Sequence, residues 1–234
     1  MSDFPNSSAE FLAGQVFLVN KPVGWSSFDV VKKIKNLIRN KYKIKKIKVG
    51  HAGTLDPLAT GLLIICTGKL TKQIHKIQEQ KKTYTGSITL GSTTPSYDLE
   101  SKIDGNYETK HITEQLIKDT LLKFIGNIKQ RPPVFSALKK DGERLYLKAR
   151  RGEEVEIKSR EVIVHSFNIT SVEMPKLYFE ITCGKGTYIR SIAHDFGMAL
   201  KSGGHLSKLC RTKIGRYHLK NAINIDFFEK KLNK

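Results

Sequence analysis

The sequence predicts an α+β fold. Predicted strands and helices follow one another in mixed order, without the regular strand–helix alternation of a doubly wound parallel sheet. The chain lacks a Gly-x-Gly-x-x-Gly motif, which argues against a dinucleotide-binding domain. Its 234 residues correspond, at about 150 residues per domain, to one large domain or one domain with an appendage.

The first ninety residues predict three strands and two helices. Residues 16–19 form a short apolar run that is closed by turn formers, which is typical of a strand. Ser26 or Ser27 can cap a helix, whose apolar face is Val30, Val31, Ile34, Leu37 and Ile38. The pattern then predicts a strand or a flexible basic loop over 41–48, a loop over 50–57, a buried strand over 62–66, a helix over 70–80 and a strand over 83–90.

The rest of the chain predicts three helices and two strands. Thr113 starts a helix that stops near Gly126, and Pro132–Pro133 then forces an extended segment. Residues 144–151 indicate a helix followed by Gly152, and 161–168 and 176–183 indicate strands. Thr187 can cap the third helix, and the last forty residues mix short elements.

The charge of the chain points to a polyanionic partner. The formal net charge is +19, with 41 Lys and Arg against 22 Asp and Glu. Residues 32–48 hold nine bases and no acid, and residues 185–220 hold eight bases against Asp195 alone, whereas the signs balance over 102–123. A lysine-biased proteome would raise the charge everywhere, so the clustering favours a nucleic-acid face.

Several protein classes are excluded by the composition. The longest fully apolar run, residues 62–66, is far shorter than the roughly 20 residues that span a bilayer, and no secretory signal is visible. Cys66, Cys183 and Cys210 form an odd set without a Cys-x-x-Cys motif, which argues against a disulfide framework or a cysteine-based zinc site. We therefore expect a cytoplasmic protein in a reducing compartment, with no membrane association.

Asp56 is the first candidate for chemistry. It lies between two glycines and directly before Pro57, a setting that also suits an ordinary helix N-cap followed by proline. His51, taken alone, is more often structural, and Tyr84 can be a strand aromatic that packs on the core.

The segment 183–193 is the second candidate. Its two glycines and a lysine before a helix start could cradle a phosphate, but the spacing is not that of a P-loop. Arg190 would be the third helical residue, where a cation opposes the helix dipole. Either it is solvated or it has a specific anionic partner, and a carboxylate such as Asp56 would suffice.

Residues 131–146 are the third candidate. Basic side chains alternate there with Phe135 and Tyr146 around turn signals, a composition that suits a mobile RNA-gripping loop. The alternative is an ordinary excursion whose aromatic side chains pack inward.

Taken together, these segments resemble the TruB family of tRNA pseudouridine synthases. The matching stretches are 20–22 with Gly24 and 26–27, 50–61, 82–84, Pro133 with 136–139, 185–190, and 203–212. They occur in the family's order from about residue 14 to 218, and the stretch around Asp56 is long and specific. The resemblance implies a mixed, largely antiparallel central sheet flanked by helices, which is the pseudouridine synthase fold.

The implied activity is isomerisation of uridine to pseudouridine in the T-loop of tRNA, at position 55 by tRNA convention, on a flipped-out base. Asp56 would be the nucleophile, Arg190 would pair with it, and Tyr84 would stack on the base and help to remove the proton at C5. The partner would be the T-arm of tRNA, with no metal, nucleotide or redox cofactor.

The resemblance also implies the residues around the base. His51 would fill the space left by the extruded base, and Tyr188 and Leu209 would shape the pocket. Lys21 is a supporting residue near the site. An insertion at about 131–152 would clamp the RNA.

One departure from the family concerns the end of the chain. Many bacterial members continue into a small C-terminal RNA-binding domain, but only seventeen residues follow Tyr217 here. We therefore expect a single catalytic domain over 1–234, monomeric and without a PUA-like domain, with the basic segment 32–48 as a possible compensation. Two alternatives remain at this point: a non-catalytic RNA-binding or tRNA-folding module, and a synthase that acts with a guide RNA.

Overall fold

The computed structural model describes residues 4–136, 138–140, 142–153 and 155–233. They form two compact units, the first of residues 1–84 and 209–234 and the second of residues 85–208. Two strands, Lys82–Leu90 and Gly204–Ile214, each have residues in both units. No helix in the described part of the chain has the length and apolarity that a membrane crossing needs.

The helices are α1 (Ser8–Ala13), α2 (Ser27–Tyr42), α3 (Ile74–Gln78), α4 (Glu114–Leu122), α5 (Leu145–Arg150), α6 (Ile189–Ala199) and α7 (Ile225–Asn233), with 3₁₀ helices at Gly68–Gln73 and Leu219–Asn221. The strands are β1 (Val16–Lys21), β2 (Val49–His51), β3 (Thr60–Thr67), β4 (Lys82–Leu90), β5 (Ser92–Thr93), β6 (Gly105–Asn106), β7 (Gly126–Gln130), β8 (Lys139–Lys140), β9 (Glu143–Arg144), β10 (Arg160–Glu173), β11 (Lys176–Cys183), β12 (Gly204–Ile214) and β13 (Tyr217–His218).

The main sheet is mixed and largely antiparallel, as predicted. Its strand order is β1-β3-β12-β4-β11-β10-β7, with β2 paired to β3 and β13 to β12. In the first unit β1 and β2 run antiparallel to β3, and β12 runs parallel to it, with Arg211 opposite Gly61. In the second unit β10 pairs antiparallel with both β11 and β7. The predicted α+β fold class is therefore confirmed.

Helix α2 packs into the core of the first unit, and both its N-cap and its apolar face were predicted from the sequence. Ser26 is its N-cap and forms a capping box with Asp29, each accepting a hydrogen bond from the backbone N–H of the other. The predicted apolar face packs against β1, β3 and α7, and four of its members are buried: Val30, Val31, Ile34 and Ile38. Burial of each such side chain contributes roughly 1.5–3 kcal/mol.

Three local predictions are refined by the structure. Of the two alternatives for 41–48, the strand is absent: Lys43 ends α2 in the left-handed region at φ 52°, and a loop follows. The predicted loop over 50–57 begins inside β2, and the helix predicted over 70–80 is present as a 3₁₀ helix continued by α3.

The cap predicted for α6 is wrong. Its N-cap is Tyr188, without a side-chain cap, and Arg190 is therefore the second helical residue rather than the third. The Thr187 hydroxyl instead donates to the carbonyl of Gly184 at 3.2 Å, which closes the preceding turn. The Tyr188 N–H is satisfied by the side chain of Gln130 at 2.8 Å.

The insertion predicted at 131–152 contains a two-stranded hairpin, β8 with β9, and then α5. Gly152 follows α5 at φ 74°, as expected for a residue directly after a helix end. Ala137, which belongs to one of the matching stretches, lies outside the described residues.

Candidate active site

Asp56 lies in the first unit, in a loop whose backbone is held from both sides. The hydroxyl of Ser27, in the first turn of α2, accepts from the Leu55 N–H at 2.8 Å and donates to the Leu55 carbonyl at 3.1 Å. After Asp56, the Pro57 carbonyl accepts from the Gly24 N–H at 2.8 Å. No helix follows Pro57 in this described stretch, because β3 starts at Thr60, so the N-cap interpretation of Asp56 is wrong.

Lys21 reinforces this loop from the end of β1. Its side chain is fully buried, and its ammonium donates to the carbonyls of Pro22 (2.9 Å), Trp25 (2.5 Å) and Pro57 (3.2 Å). Burial lowers the pKa of Lys21 to about 8, and the charge of Asp56 opposes that shift. The ammonium is therefore mostly charged at neutral pH, and it interacts favourably with the Asp56 carboxylate.

This buried ammonium predicts a pH dependence of stability. A lysine pKa of about 8 in the folded state lies below the ordinary 10.5, so the unfolded chain binds more protons between these values and stability rises with pH across that window. We expect the free energy of unfolding of the wild type, relative to Lys21→Met, to increase by about 1–2 kcal/mol from pH 8 to pH 10 in urea titrations. Asp56, Arg211 and Asp29 carry the charges that act on Lys21, and both proteins retain them.

The exposed Lys220, in the same unit, supplies the control. The difference between the wild type and Lys220→Met is expected to stay constant over the same pH range. A flat difference for Lys21→Met as well would contradict the depressed pKa.

Arg211 is a site residue that the sequence interpretation missed. It is 1 % exposed, and its guanidinium donates to the carbonyls of Leu62 (2.8 Å), Gly53 (3.0 Å) and Thr54 (3.4 Å). It thereby fixes the start of the Asp56 loop against β3. Both Arg211 and Arg190 lie in the basic stretch 185–220, which the charge pattern predicts as part of a nucleic-acid face, but both side chains are buried.

His51, Leu209 and Tyr84 also belong to the first unit. His51 lies in β2, where burial and the charge of Arg211 lower its pKa, so the neutral imidazole is favoured. The Leu209 carbonyl, in β12, accepts from the Thr60 hydroxyl at 3.3 Å. Tyr84, in β4, is 8 % exposed, as expected for a strand aromatic that is largely within the core. The charge of Asp56 thus favours the charged form of Lys21, whereas the charge of Arg211 disfavours the charged form of His51.

Arg190 lies in the second unit and is held in one position. It is 2 % exposed, and its guanidinium donates to the carbonyls of Ser96 (3.2 Å) and Phe135 (2.9 Å). Its Nε is 3.7 Å from a carboxylate oxygen of Asp98, which is also buried. Within this unit Arg190 therefore has a carboxylate partner in Asp98, whereas the sequence pattern suggested Asp56 for that role.

Tyr188 is fixed by the strand before the insertion. Gln130, at the end of β7, accepts from the Tyr188 N–H and donates to its carbonyl at 3.0 Å. The Arg160 guanidinium lies 5.1 Å from the centre of the Tyr188 ring. One turn after Arg190, the His194 ring stacks on Tyr97 at 3.9 Å between ring centres, a contact without a local sequence signal.

Comparisons with known proteins identify the family that the sequence motifs resemble. The sequence model described as TruB family pseudouridylate synthase (N terminal domain) matches residues 39–189. The tRNA pseudouridine synthase B of Flavobacterium johnsoniae is 58% identical over 224 residues, which are 95% of this chain and 98% of that protein. The protein of the same name from Phocaeicola vulgatus is 49% identical over 96% of this chain and 95% of its own length.

A solved structure gives a consistent result for the fold. A chain in the crystal structure of a Cbf5-Nop10-Gar1 complex superposes with a TM-score of 0.71 and 27% identity over 95% of this chain. This chain spans 55% of the length of that structure's chain. The family match over most of the chain, the high identity to full-length relatives and the shared fold together show that this chain belongs to the TruB family of pseudouridylate synthases.

Proposed function

We propose that this protein converts uridine to pseudouridine in tRNA, at position 55 in the T-loop, with Asp56 as the nucleophile. Relatives that are 49–58% identical over nearly the whole chain carry the name tRNA pseudouridine synthase B, which supports tRNA as the substrate. The observation that carries the proposal is the Asp56 loop, which Ser27, Lys21 and Arg211 hold at three neighbouring backbone positions.

This loop suits covalent catalysis by a carboxylate. A nucleophile has to meet the sugar–base unit in one geometry, and backbone anchors on both sides of Asp56 limit its movement. After attack by the carboxylate, the C1′–N1 glycosidic bond breaks and the uracil turns. A C1′–C5 bond then forms, C5 loses its proton, N1 gains one, and the carboxylate is released unchanged.

Arg190 is the proposed partner of Asp56. A guanidinium that pairs with a carboxylate keeps it ionised and oriented. The Ser96 and Phe135 carbonyls and the Asp98 carboxylate fix the plane of this guanidinium, so that it is ordered before RNA binds.

The remaining residues are assigned to the base. Tyr84 stacks on the uracil and helps to take the proton from C5, and His51, neutral because its pKa is lowered, fills the place of the extruded nucleotide. Tyr188 and Leu209 shape the pocket. Extrusion costs a few kcal/mol of stacking, which these contacts and the insertion at 131–152 offset.

The proposal is tested with an unmodified tRNA transcript that carries tritium at C5 of uridine. Since isomerisation removes that hydrogen, we expect release of one tritium per tRNA, and none from a matched transcript with cytidine at position 55. Binding of tRNA without release would indicate a non-catalytic module. Release from both transcripts would contradict the assigned position.

A further inference from the structure

The first unit contains a strongly basic cavity that is not part of the Asp56 loop. Its volume is about 550 Å³. Seven cationic side chains line it: Lys35, Arg39, Lys45, Lys46, Lys48, Lys69 and Lys72. The other lining residues are Leu12, Ile47, Gly68 and Thr71, so no carboxylate is found among the described residues of the lining.

Hydrogen bonds and buried side chains fix the walls of this cavity. Ile47 is 5 % exposed and packs in the core of the first unit. It thereby anchors the segment that carries Lys45, Lys46 and Lys48. The Gly68 N–H donates to the Lys48 carbonyl at 2.8 Å, and the Thr71 hydroxyl donates to the Gly68 carbonyl at 2.8 Å. These contacts hold the backbone next to several of the cationic side chains in place.

The arrangement is electrostatically unfavourable without a ligand. Like charges that converge on one cavity repel each other and destabilise the folded state. Two cations elsewhere on the chain have a carboxylate partner, in contrast: Lys33 lies 2.8 Å from a carboxylate oxygen of Glu229, and Arg151 lies 2.7 Å from one of Glu143. A cavity with seven cations and no carboxylate among its described lining residues therefore indicates an anionic partner.

The lining also indicates which part of the partner is bound. No aromatic side chain belongs to it among the described residues, so the Arg39 guanidinium is the one group in the described lining that can stack on a nucleobase, and the six lysines are suited to phosphates. Seven charges exceed what one phosphate group neutralises, which favours a ligand with several phosphates in a row. Contacts of this kind read the backbone of a nucleic acid and not its sequence.

We propose that this basic cavity binds the phosphate backbone of tRNA outside the T-arm, as a second docking site. The inference rests on the proposed function for the identity of the RNA. The cavity contributes affinity and orientation, whereas Asp56 and its neighbours act on the base.

The test is a triple variant, Lys45→Gln with Lys46→Gln and Lys69→Gln, compared with the wild type. Each lost phosphate contact reduces the salt slope of log K by about 0.9, so we expect affinity for full-length tRNA to fall about 10- to 100-fold at 0.1 M salt, with a slope smaller by about two to three. Affinity for an isolated T-arm hairpin, and the turnover rate at saturating tRNA, should change less than about twofold.

A second triple variant, Lys110→Gln with Lys118→Gln and Lys123→Gln, is the control. It removes the same charge from exposed positions in the electrically balanced stretch of the second unit. Its affinity for tRNA should stay within about twofold of wild type, because the loss of three charges far from the binding site weakens only the long-range attraction. Equal losses in both triple variants, or an equal loss for hairpin and tRNA, would overturn the proposal.

Two further measurements keep the outcomes separate. Because the substitutions remove repulsion between the lysines, the unfolding temperature of the cavity variant should be no lower than that of the wild type. If the triple variant does not fold, the single variants Lys45→Gln and Lys69→Gln replace it. If inorganic pyrophosphate displaced labelled tRNA at a lower concentration than unlabelled tRNA does, the cavity would be a site for small anions. That result would overturn RNA docking. Binding is measured without isomerisation, so a wild type that binds tRNA but releases no tritium contradicts the proposed function alone.

Discussion

Replacement of Asp56 by asparagine is expected to abolish pseudouridine formation and to leave the affinity for tRNA within about tenfold, which is 1.4 kcal/mol. The amide has the shape of the carboxylate but is not a nucleophile. The contacts that hold the loop involve the backbone of Leu55 and Pro57, so the substitution leaves them in place. Single-turnover tritium release measures the chemical step, and filter binding measures the affinity.

Asp119→Asn is the matched control for this experiment. Asp119 lies exposed on α4 in the second unit and accepts a hydrogen bond from Gln115 at 2.8 Å, which asparagine can also accept. It should retain wild-type turnover. Turnover at the wild-type rate in Asp56→Asn would end the nucleophile assignment, and a hundredfold loss of affinity would show that Asp56 mainly binds RNA.

Replacement of Arg211 by methionine is expected to lower the free energy of unfolding by about 3–5 kcal/mol. Methionine retains much of the length of the side chain but has no hydrogen-bond donor. Three carbonyls, those of Leu62, Gly53 and Thr54, would lose their partner in a region where Arg211 itself is 1 % exposed. Urea denaturation followed by circular dichroism measures the change.

Lys213→Met, two residues further along β12, provides the comparison. Lys213 is exposed, and its substitution should change the free energy of unfolding by less than about 0.5 kcal/mol. A loss below about 1 kcal/mol in Arg211→Met would mean that the three carbonyls find other donors. Arg211→Lys should recover part of the stability, because an ammonium can reach some but not all of these acceptors.

Local signals in the sequence predicted much of the fold. The capping box of α2 involves residues only three positions apart, and the apolar spacing from Val30 to Ile38 is a property of one helix, so both could be recognised without the tertiary structure. The start of α6 was not predictable in the same way. Thr187 has the chemistry of a cap, but its hydroxyl bonds to the turn at Gly184, and the N–H of Tyr188 is satisfied by Gln130, 58 residues away.

In the candidate site, too, features with a local sequence signal were predictable and features that depend on tertiary contacts were not. The specific stretch around Asp56 identified that loop, and Lys21, named with it from the sequence, donates to the carbonyl of Pro57 directly after Asp56. Arg211 was missed because its acceptors lie about 150 residues away, at Leu62 and Gly53, and only the parallel pairing of β12 with β3 brings them together. A buried arginine and a surface arginine look alike in sequence until the carbonyls around them are known.

Helix α2 ties the Asp56 loop to the basic cavity by a fixed length. Ser27 at its start holds Leu55, while Lys35 and Arg39 further along line the cavity. At 1.5 Å per residue these two side chains start about 12 and 18 Å along the axis from Ser27. If one RNA binds both the Asp56 loop and the basic cavity, as proposed, its target nucleotide and the bound phosphates have to lie at that spacing. The tertiary shape of the RNA would then contribute to its selection.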